Sequence, residues 1–199
     1  LNRSHDPVVR ELMAKARTTT RSINQKIMFN EDYLNLGQTR PKWTNLEECC
    51  QAAISRLDLG SVKVSIGLQG FEVLADPMLE KVFYRLVENS LLHGGALSTI
   101  TISSKLTASG LVVTVHDDGR GISPGDRKKL FNWEFRGRRG HSLHLVAEVL
   151  HLSGMSIQET GYDGSGSRFE ISIPPGLYRQ RAVLEPGERV QPRSRSEGS

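Results

Sequence analysis

The chain has little cysteine, no long apolar run and no internal repeat. Its 199 residues include two cysteines, Cys49 and Cys50, which are adjacent. Adjacent cysteines do not form a disulfide framework, so we expect a reduced pair. No apolar stretch approaches the roughly 18 residues of a membrane span, and no signal peptide is visible. Because the chain begins with Leu1 rather than Met, we expect a cytoplasmic piece of a longer protein that itself makes no membrane contact.

A strong charge of one sign is also lacking in the part that should fold. The formal net charge is +4, and residues 176–199 contribute +2 of it, with five arginines against three glutamates. The remainder is nearly neutral, so the charge does not require a nucleic-acid partner and we expect none. Residues 176–199 are rich in Arg, Pro, Ser, Glu and Gly, which predicts a disordered basic tail.

A single long helix is predicted over residues 6–36. Asp6 can cap it, Pro7 suits its first turn, and Gly37 would end it. Its apolar positions recur at intervals of three and four, the spacing of a coiled-coil seam. The seam comprises Met13, Ala16, Thr20, Ile23, Ile27, Asn30 and Leu34. One helix cannot bury its own stripe, so we expect residues 1–40 to be part of a dimerisation unit, pairing with a missing helix and with a second copy of the chain.

Residues 41–175 alternate between helical and strand patterns. Thr44-Asn45-Leu46-Glu47 has the spacing of a capping box and predicts a helix to about Leu57, and Asp76-Pro77 predicts the cap and first turn of another helix. Strands are predicted at 62–66, 71–74, 100–105, 111–116, 155–160 and 168–173, and a further helix at 142–152. Strands on one side and helices from separate segments on the other predict a two-layer α/β sandwich.

Two places in this domain carry polar residues where apolar ones would be expected. On the helix after Asp76, Asn89 and His93 continue the apolar stripe of the inner face, where a polar side chain needs a partner. Asn89 is therefore either a satisfied core asparagine or a ligand-binding residue. The second place is the end of a buried strand, where Asp117-Asp118-Gly119-Arg120-Gly121-Ile122 is either an ordinary Asp-Gly turn or a site where a ligand lies close to the backbone.

Several segments, taken in order, resemble the ATP-binding domain of sensor histidine kinases, within the gyrase, chaperone and mismatch-repair ATPase superfamily. Residues 79–93 resemble the asparagine box, 117–122 the first glycine box, 130–135 the phenylalanine box, and 140–145 the second glycine box. Gly164-Ser165-Gly166-Ser167-Arg168-Phe169 is similar to the last Gly-rich turn. The resemblance covers about residues 43–175 and implies a Bergerat-type fold. The first helix with residues 32–37 and 41–43 resembles a second dimerisation helix, most like that of methanogen archaeal kinases.

The resemblance implies phosphoryl transfer from ATP with Mg²⁺. Asp117 would accept a hydrogen bond from the adenine amino group, and Gly119 and Gly121 would let the base lie against the backbone. Asn89 would hold Mg²⁺, since an amide oxygen suits a hard cation, and the catalytic residues would be Asn89 and the nearby Glu88. Because Asp117 ends a strand, its replacement is expected to cost far less stability than nucleotide affinity. Other residues that the resemblance places at the nucleotide are His93, Ile122, Phe131, Gly140, Ser142, Leu143 and Ser167, with Arg136, Arg138 or Arg139 adding charge from a lid.

Some positions depart from the family pattern. Arg85 stands where related ATPases carry the glutamate that activates water, which argues against a hydrolase. Leu92 replaces a common lysine, and Ser142 and His144 replace glycines. No family-like His-Glu or His-Asp box precedes a complete helical hairpin, so the histidine that accepts the phosphate is expected outside this fragment. We expect a histidine kinase that passes phosphate to a response regulator; the alternatives are a degenerate nucleotide-binding or docking module and an anti-sigma-type serine kinase.

Overall fold

The structure is a computed structural model that describes residues 7–68, 70–127, 129–131 and 141–181. Its helices are α1 (Pro7–Asn35), α2 (Leu46–Ile54), α3 (Leu79–His93), α4 (Pro124–Arg127) and α5 (His141–Leu152). Its strands are β1 (Lys42–Asn45), β2 (Lys63–Gly67), β3 (Phe71–Ala75), β4 (Thr99–Thr107), β5 (Gly110–Asp117), β6 (Ser156–Glu159), β7 (Arg168–Ile173) and β8 (Tyr178–Gln180). Within these residues, no helix is both long and apolar enough to cross a membrane.

The main sheet has five strands in the order β2-β4-β5-β7-β6, so β5 lies at its centre. β2 and β4 are parallel, with Val64 opposite Ile100, and the other neighbours are antiparallel. Side chains of α2, α3 and α5 join those of the sheet in one buried cluster. The cluster includes Phe83 and Leu86 from α3 and Val113 and Phe169 from the sheet. The predicted two-layer α/β sandwich is confirmed.

Two predicted helix starts are wrong, one by one residue and the other by two. Residues 42–45 form β1, and the backbone of Thr44 is paired with Val73 of β3. Asn45 is therefore the cap of α2, and its side chain accepts hydrogen bonds from the backbone of Glu47 and Glu48. Asp76 accepts from the backbone of Met78 at 2.8 Å, so it closes a turn before α3, which begins only at Leu79.

A second, three-stranded sheet has the order β1-β3-β8. Tyr178 of β8 lies opposite Val73, and the guanidinium of Arg179 lies 4.3 Å from the centre of the Trp43 ring on β1. Arg179 also pairs with Glu72 at 2.6 Å. The predicted disordered tail therefore begins too early, because residues 178–180 are held by strand pairing and by charge. Residues 182–199 of that tail lie outside the described residues.

The predicted first helix is confirmed as α1, although its expected cap Asp6 lies outside the described residues. The seam from Met13 to Leu34 is exposed on the single chain, whereas Asp32 near the end of α1 is 3% exposed. Asp32 forms ion pairs with Lys81 and Arg85 of α3. Leu152, predicted on the buried stripe of α5, is half exposed and lies beside Gly37. The last turn of α1 is thus joined to the α/β sandwich.

Candidate functional site

A cavity of about 400 Å³ lies between the end of α3, the end of β5 and the turns that follow β5 and precede β7. This volume is within the usual range for small-molecule sites. The cavity is lined by Asn89, Ser90, His93, Gly94, Asp117, Arg120, Gly121, Ile122, Ser123, Asp126, Leu130, Asp163 and Ser167. The two segments that carry unexpected polar residues in the sequence therefore meet at one place.

Asp117 is placed by the sheet and is 2% exposed. It is the last residue of the central strand, where its backbone N–H donates to the carbonyl of Ser167. Its Oδ1 accepts from the backbone N–H of Gly119 at 3.0 Å and of Ser167 at 3.1 Å. Its Oδ2 accepts from the hydroxyls of Ser90, at 2.6 Å, and of Ser167. A carboxylate so buried is stabilised by these donors.

The two glycines of the turn after β5 are required by close packing of the chain on itself. A Cβ on Gly119 would lie 2.6 Å from the carbonyl oxygen of Gly94. Gly121 has φ of 74°, and a Cβ there would lie 2.4 Å from the carbonyl oxygen of Tyr162. Positive φ favours glycine. Gly121 lines the cavity, whereas Gly119 lies behind Asp117 and supports the turn from outside the lining.

Asp118, the neighbour of Asp117, faces the opposite way and fixes the strand ends. The hydroxyl of Ser98 and the backbone N–H groups of Thr99 and Ser98 donate to its carboxylate. These hydrogen bonds, led by that of the Ser98 hydroxyl, lower the pKa of Asp118 below its usual range. The two carboxylates therefore have separate tasks, one at the cavity and one at the surface.

The end of α3 brings Asn89 and His93 into the cavity but leaves Glu88 out of it. Glu88 is held by Arg85 at 2.9 Å and by the hydroxyl of Tyr84 at 3.4 Å. Arg85 in turn reaches Asp32 of α1 at 3.4 Å. The carboxylate of Glu88, which was expected near the metal ligand, belongs to an ion-pair cluster with Arg85. Leu92, at a position where related proteins were expected to carry lysine, is exposed.

Phe131 and the start of α5 support the cavity without lining it. Phe131 packs edge-on against Phe169, with ring centres 6.4 Å apart, and Leu143 is buried in the core. Neither residue lines the cavity, nor does Ser142, which is half-buried near the start of α5. His144 Nδ1 lies 3.1 Å from the carbonyl oxygen of Phe131, which joins α5 to this segment. Gly140 and the arginines of the expected lid lie outside the described residues.

Six of the twelve predicted residues line the cavity: Asn89, His93, Asp117, Gly121, Ile122 and Ser167. Seven lining residues were not predicted as site residues: Ser90, Gly94, Arg120, Ser123, Asp126, Leu130 and Asp163. Ser90 is the most informative omission, because it follows Asn89 directly, is 2% exposed, and donates to Asp117. The signal available in the sequence was its spacing, four residues after Leu86 on the buried face of α3.

Comparison with known proteins adds the family. The model for histidine kinase-, DNA gyrase B-, and HSP90-like ATPases matches residues 75–177. The sensor protein KdpD of Escherichia coli K12 is 24% identical over 175 residues, which cover 82% of this chain and 20% of KdpD. SenX3 of Mycobacterium tuberculosis H37Rv, a sensor-like histidine kinase, is 26% identical over 137 residues, which cover 64% of this chain and 33% of SenX3. The chain thus spans a fifth to a third of these two curated relatives. Both are bacterial, and the archaeal likeness stays a prediction.

Solved structures agree on the fold. Acinetobacter baumannii histidine kinase AdeS matches with a TM-score of 0.62 at 20% identity, covering 85% of each chain. Full-length ShkA, solved in complex with AMPPNP, matches with a TM-score of 0.64 at 16% identity, covering 82% of this chain and 39% of ShkA. The family match spans residues 75–177 and so includes Asn89, Asp117 and Ser167. The chain belongs to the family of histidine kinase-, DNA gyrase B- and HSP90-like ATPases.

Proposed function

We propose that this chain is the catalytic end of a sensor histidine kinase in a two-component signalling system. It binds Mg·ATP and transfers the γ-phosphate to a histidine that is not among these 199 residues; a response regulator then receives the phosphate. The observation that carries the proposal is the cavity at the end of the central strand, where Asp117 and Asn89 meet in a chain of this family.

The residues divide the cavity into two ends. Asp117, Ser90 and Ser167 form a buried polar end with Ile122 and Leu130 as apolar neighbours, which suits a flat base with a polar edge. Asn89 offers an amide oxygen, which suits Mg²⁺ together with phosphate oxygens. When bound, Mg·ATP supplies the transferable phosphate and the charge that neutralises it. The N–H groups of the first turn of α5, near Ser142 and Leu143, are the proposed contacts of the phosphates.

Glu88 is not assigned to catalysis in this proposal. Its carboxylate is engaged by Arg85 and lies outside the cavity lining. Asn89 therefore carries the metal-binding role, and His93 lies beside it at the cavity edge. Arg85 cannot activate a water molecule as a general base, because a guanidinium has no acceptor site. This favours transfer to a protein side chain over hydrolysis.

The acceptor histidine is proposed to lie on a separate helix because the histidines of this chain are poorly placed. His93, His116 and His144 are half-buried in the domain, and the exposed His151 lies at the end of α5, outside the cavity lining. The side chain of His141 lies outside the described residues. In-line transfer needs an exposed imidazole that the phosphate can reach. His5, which precedes the acidic Asp6 but is followed by only one predicted helix, lies outside the described residues.

The test is incubation of the 199-residue chain with Mg²⁺ and γ-labelled ATP. We expect calorimetric binding of Mg·ATP without covalent label, and labelling when a helical hairpin with a histidine followed by an acidic residue is added. Label that is lost in acid and kept in alkali identifies phosphohistidine. Absence of nucleotide binding, or such label on residues 1–199 alone, contradicts the proposal.

Asn89→Ala separates metal binding from base binding. It is expected to weaken Mg·ATP binding or turnover and to leave binding of metal-free adenosine nearly unchanged, because only the amide oxygen is lost. The exposed Leu106 offers the control variant Leu106→Ala, which is expected to alter neither. If Asn89→Ala weakens both ligands in parallel, Asn89 is a core residue.

A second candidate is a nucleotide-binding module without transfer activity. The observation that favours it is the ion pair between Arg85 and Glu88. This pair engages the Glu88 carboxylate, and its arginine stands where the family usually carries another residue. The two candidates differ in the labelling test, because a non-catalytic module binds nucleotide but labels no added hairpin.

A further inference from the structure

Two segments that are far apart in the sequence form neighbouring parts of the cavity wall. The first comprises the turn after β5 and α4, and the second is the turn between β6 and β7, which contributes Asp163 and Ser167. The two segments meet directly, since the backbone N–H of Gly164 donates to the carbonyl of Arg120 at 2.8 Å. The shape of the cavity therefore depends on how these two segments are held together.

Glu159, at the end of β6, holds the second of these turns and lies outside the cavity lining. Its side chain is 1% exposed. Its Oε1 accepts from the backbone N–H groups of Gly161 at 3.0 Å and of Arg168 at 3.2 Å, at either end of the turn. Its Oε2 forms an ion pair with Nε of Arg127 at 2.5 Å. One buried carboxylate thus closes the turn and ties it to α4.

Arg127 holds the first segment in the same way. It is the last residue of α4 and also lies outside the lining. Its Nη2 donates to the carbonyl of Ile122, a lining residue, at 3.2 Å. The rigid guanidinium therefore reaches the cavity wall with one nitrogen and Glu159 with another. Because a buried carboxylate without its cation is costly, moving the two segments apart is costly as well.

We propose that Arg127 and Glu159 are positioning residues for the nucleotide. Together they fix the position of Ile122 relative to the turn between β6 and β7, and neither touches the ligand. The inference rests on the proposed nucleotide function, to which it adds two residues that act on affinity through the shape of the cavity. By linkage, a nucleotide that binds between the two segments should in turn stabilise the ion pair.

Two substitutions of Arg127 separate this role from a purely structural one. Arg127→Met leaves the buried Glu159 without its cation, so both stability and nucleotide affinity should fall. Arg127→Lys keeps a charge for Glu159, but an ammonium lacks the rigid fork of a guanidinium and cannot also hold the Ile122 carbonyl. It should restore most of the stability while nucleotide affinity stays close to that of Arg127→Met. A structural role alone predicts that affinity follows stability.

The experiment measures binding of Mg·ADP by calorimetry and unfolding by urea, for wild type and for each variant. Nucleotide affinity is expected to fall about tenfold or more in Arg127→Lys, Arg127→Met and Glu159→Gln, the scale of one or two hydrogen bonds. Combining Arg127→Met with Glu159→Gln should cost no more affinity than the worse single change, because both break the same pair. The control is Arg56→Lys, the same substitution in the ion pair of Arg56 with Glu80 at 3.0 Å, outside the lining; its affinity is expected to equal that of wild type.

The outcomes separate the inference from the function on which it rests. If wild type binds no Mg·ADP, both are overturned. If wild type binds it and affinity follows stability through the Arg127 variants, or Glu159→Gln binds like wild type, only the inference is overturned. Should the variants fail to fold, hydrogen exchange of wild type decides: Mg·ADP is expected to slow exchange of the Gly161 and Arg168 amides, which donate to Glu159 outside the lining. Unchanged exchange of both amides overturns the inference.

Discussion

At the scale of a single residue, Asp117 joins the sheet to the cavity. The sequence indicates its place because an apolar run ends in it, but not its surroundings. We expected a strand-end carboxylate whose loss costs little stability. The structure shows instead a buried group with four donors from three other residues, so its loss leaves several polar groups without an acceptor.

Asp117→Ala is therefore expected to weaken both the fold and nucleotide binding. Buried donors without partners cost about 1–3 kcal/mol each, so the free energy of unfolding should fall by about 2 kcal/mol or more in a urea titration. Nucleotide affinity should fall by about 1.5–3 kcal/mol, the scale of a hydrogen bond to a charged group. Asp118→Ala is the control, because Asp118 lies outside the cavity lining; unchanged nucleotide affinity is expected there. Equal affinity losses in the two variants would contradict the assignment.

The two cysteines make a second residue-scale prediction. Burial raises the pKa of the Cys49 and Cys50 thiols to about 12, and nearby acidic groups add to this. Because the thiolate is the reactive form, neither thiol should react with an aromatic disulfide reagent at pH 8 until urea unfolds the chain. A folded-state pKa above the unfolded value stabilises the protein below about pH 9, and this contribution is lost as the pH rises toward 12. Rapid reaction of either thiol in the native protein would contradict the structure.

Which site residues the sequence reveals depends on how local their placement is. Asn89 and His93 follow from helical periodicity, since they continue a stripe that the helix itself defines. Ser90 lies on the same buried face, four residues after Leu86, but its task does not follow from periodicity because its partner Asp117 is 27 residues away. Asp126 reaches the cavity from the short helix α4 and Asp163 from the turn before β7, and the positions of both segments depend on packing between distant parts of the chain.

At the scale of elements, the last turn of α1 is attached to α3 by charge. Asp32 and Arg85 are both nearly buried, and Lys81 and Glu88 extend the cluster. The sequence shows Arg85 only as a departure from its family. The structure explains it, since arginine at this position connects α1 to the helix that carries Asn89.

Asp32→Ala is expected to lower the free energy of unfolding by about 2–4 kcal/mol, because it leaves a buried guanidinium short of a partner. The matched control is Glu11→Ala, which removes the exposed pair of Glu11 and Lys15 on the same helix and should cost no more than about 0.5 kcal/mol. Urea titrations of both variants decide the matter. Similar small losses in the two would mean that the Asp32 pair does not hold α1.

At the scale of the whole molecule, α1 exposes an apolar stripe that the α/β sandwich does not cover. Ile23 and Ile27 are each about half exposed. We expect a dimer through this stripe, with Ile23→Glu and Ile27→Glu together giving a monomer in light scattering. Leu106→Glu, an equally exposed residue on β4, is the control and should leave the dimer intact. A monomeric wild type would refute the prediction.

The small sheet has a consequence for how the α/β sandwich can be cut and rejoined. β1 brings the chain in and β8 takes it out, on either side of β3. From the pairings of Lys42 with Ala75 and Gln180 with Phe71, these ends lie about 13 Å apart along the strands and about 10 Å across them. A linker of about eight residues from Gln180 to Lys42 would span that gap, so the sandwich is topologically close to a ring.

A circular permutant that carries this linker and is opened at the exposed turn between Ala108 and Ser109 should fold and keep its cavity. The same ring opened between Gly119 and Arg120 should fold less well and lose nucleotide binding.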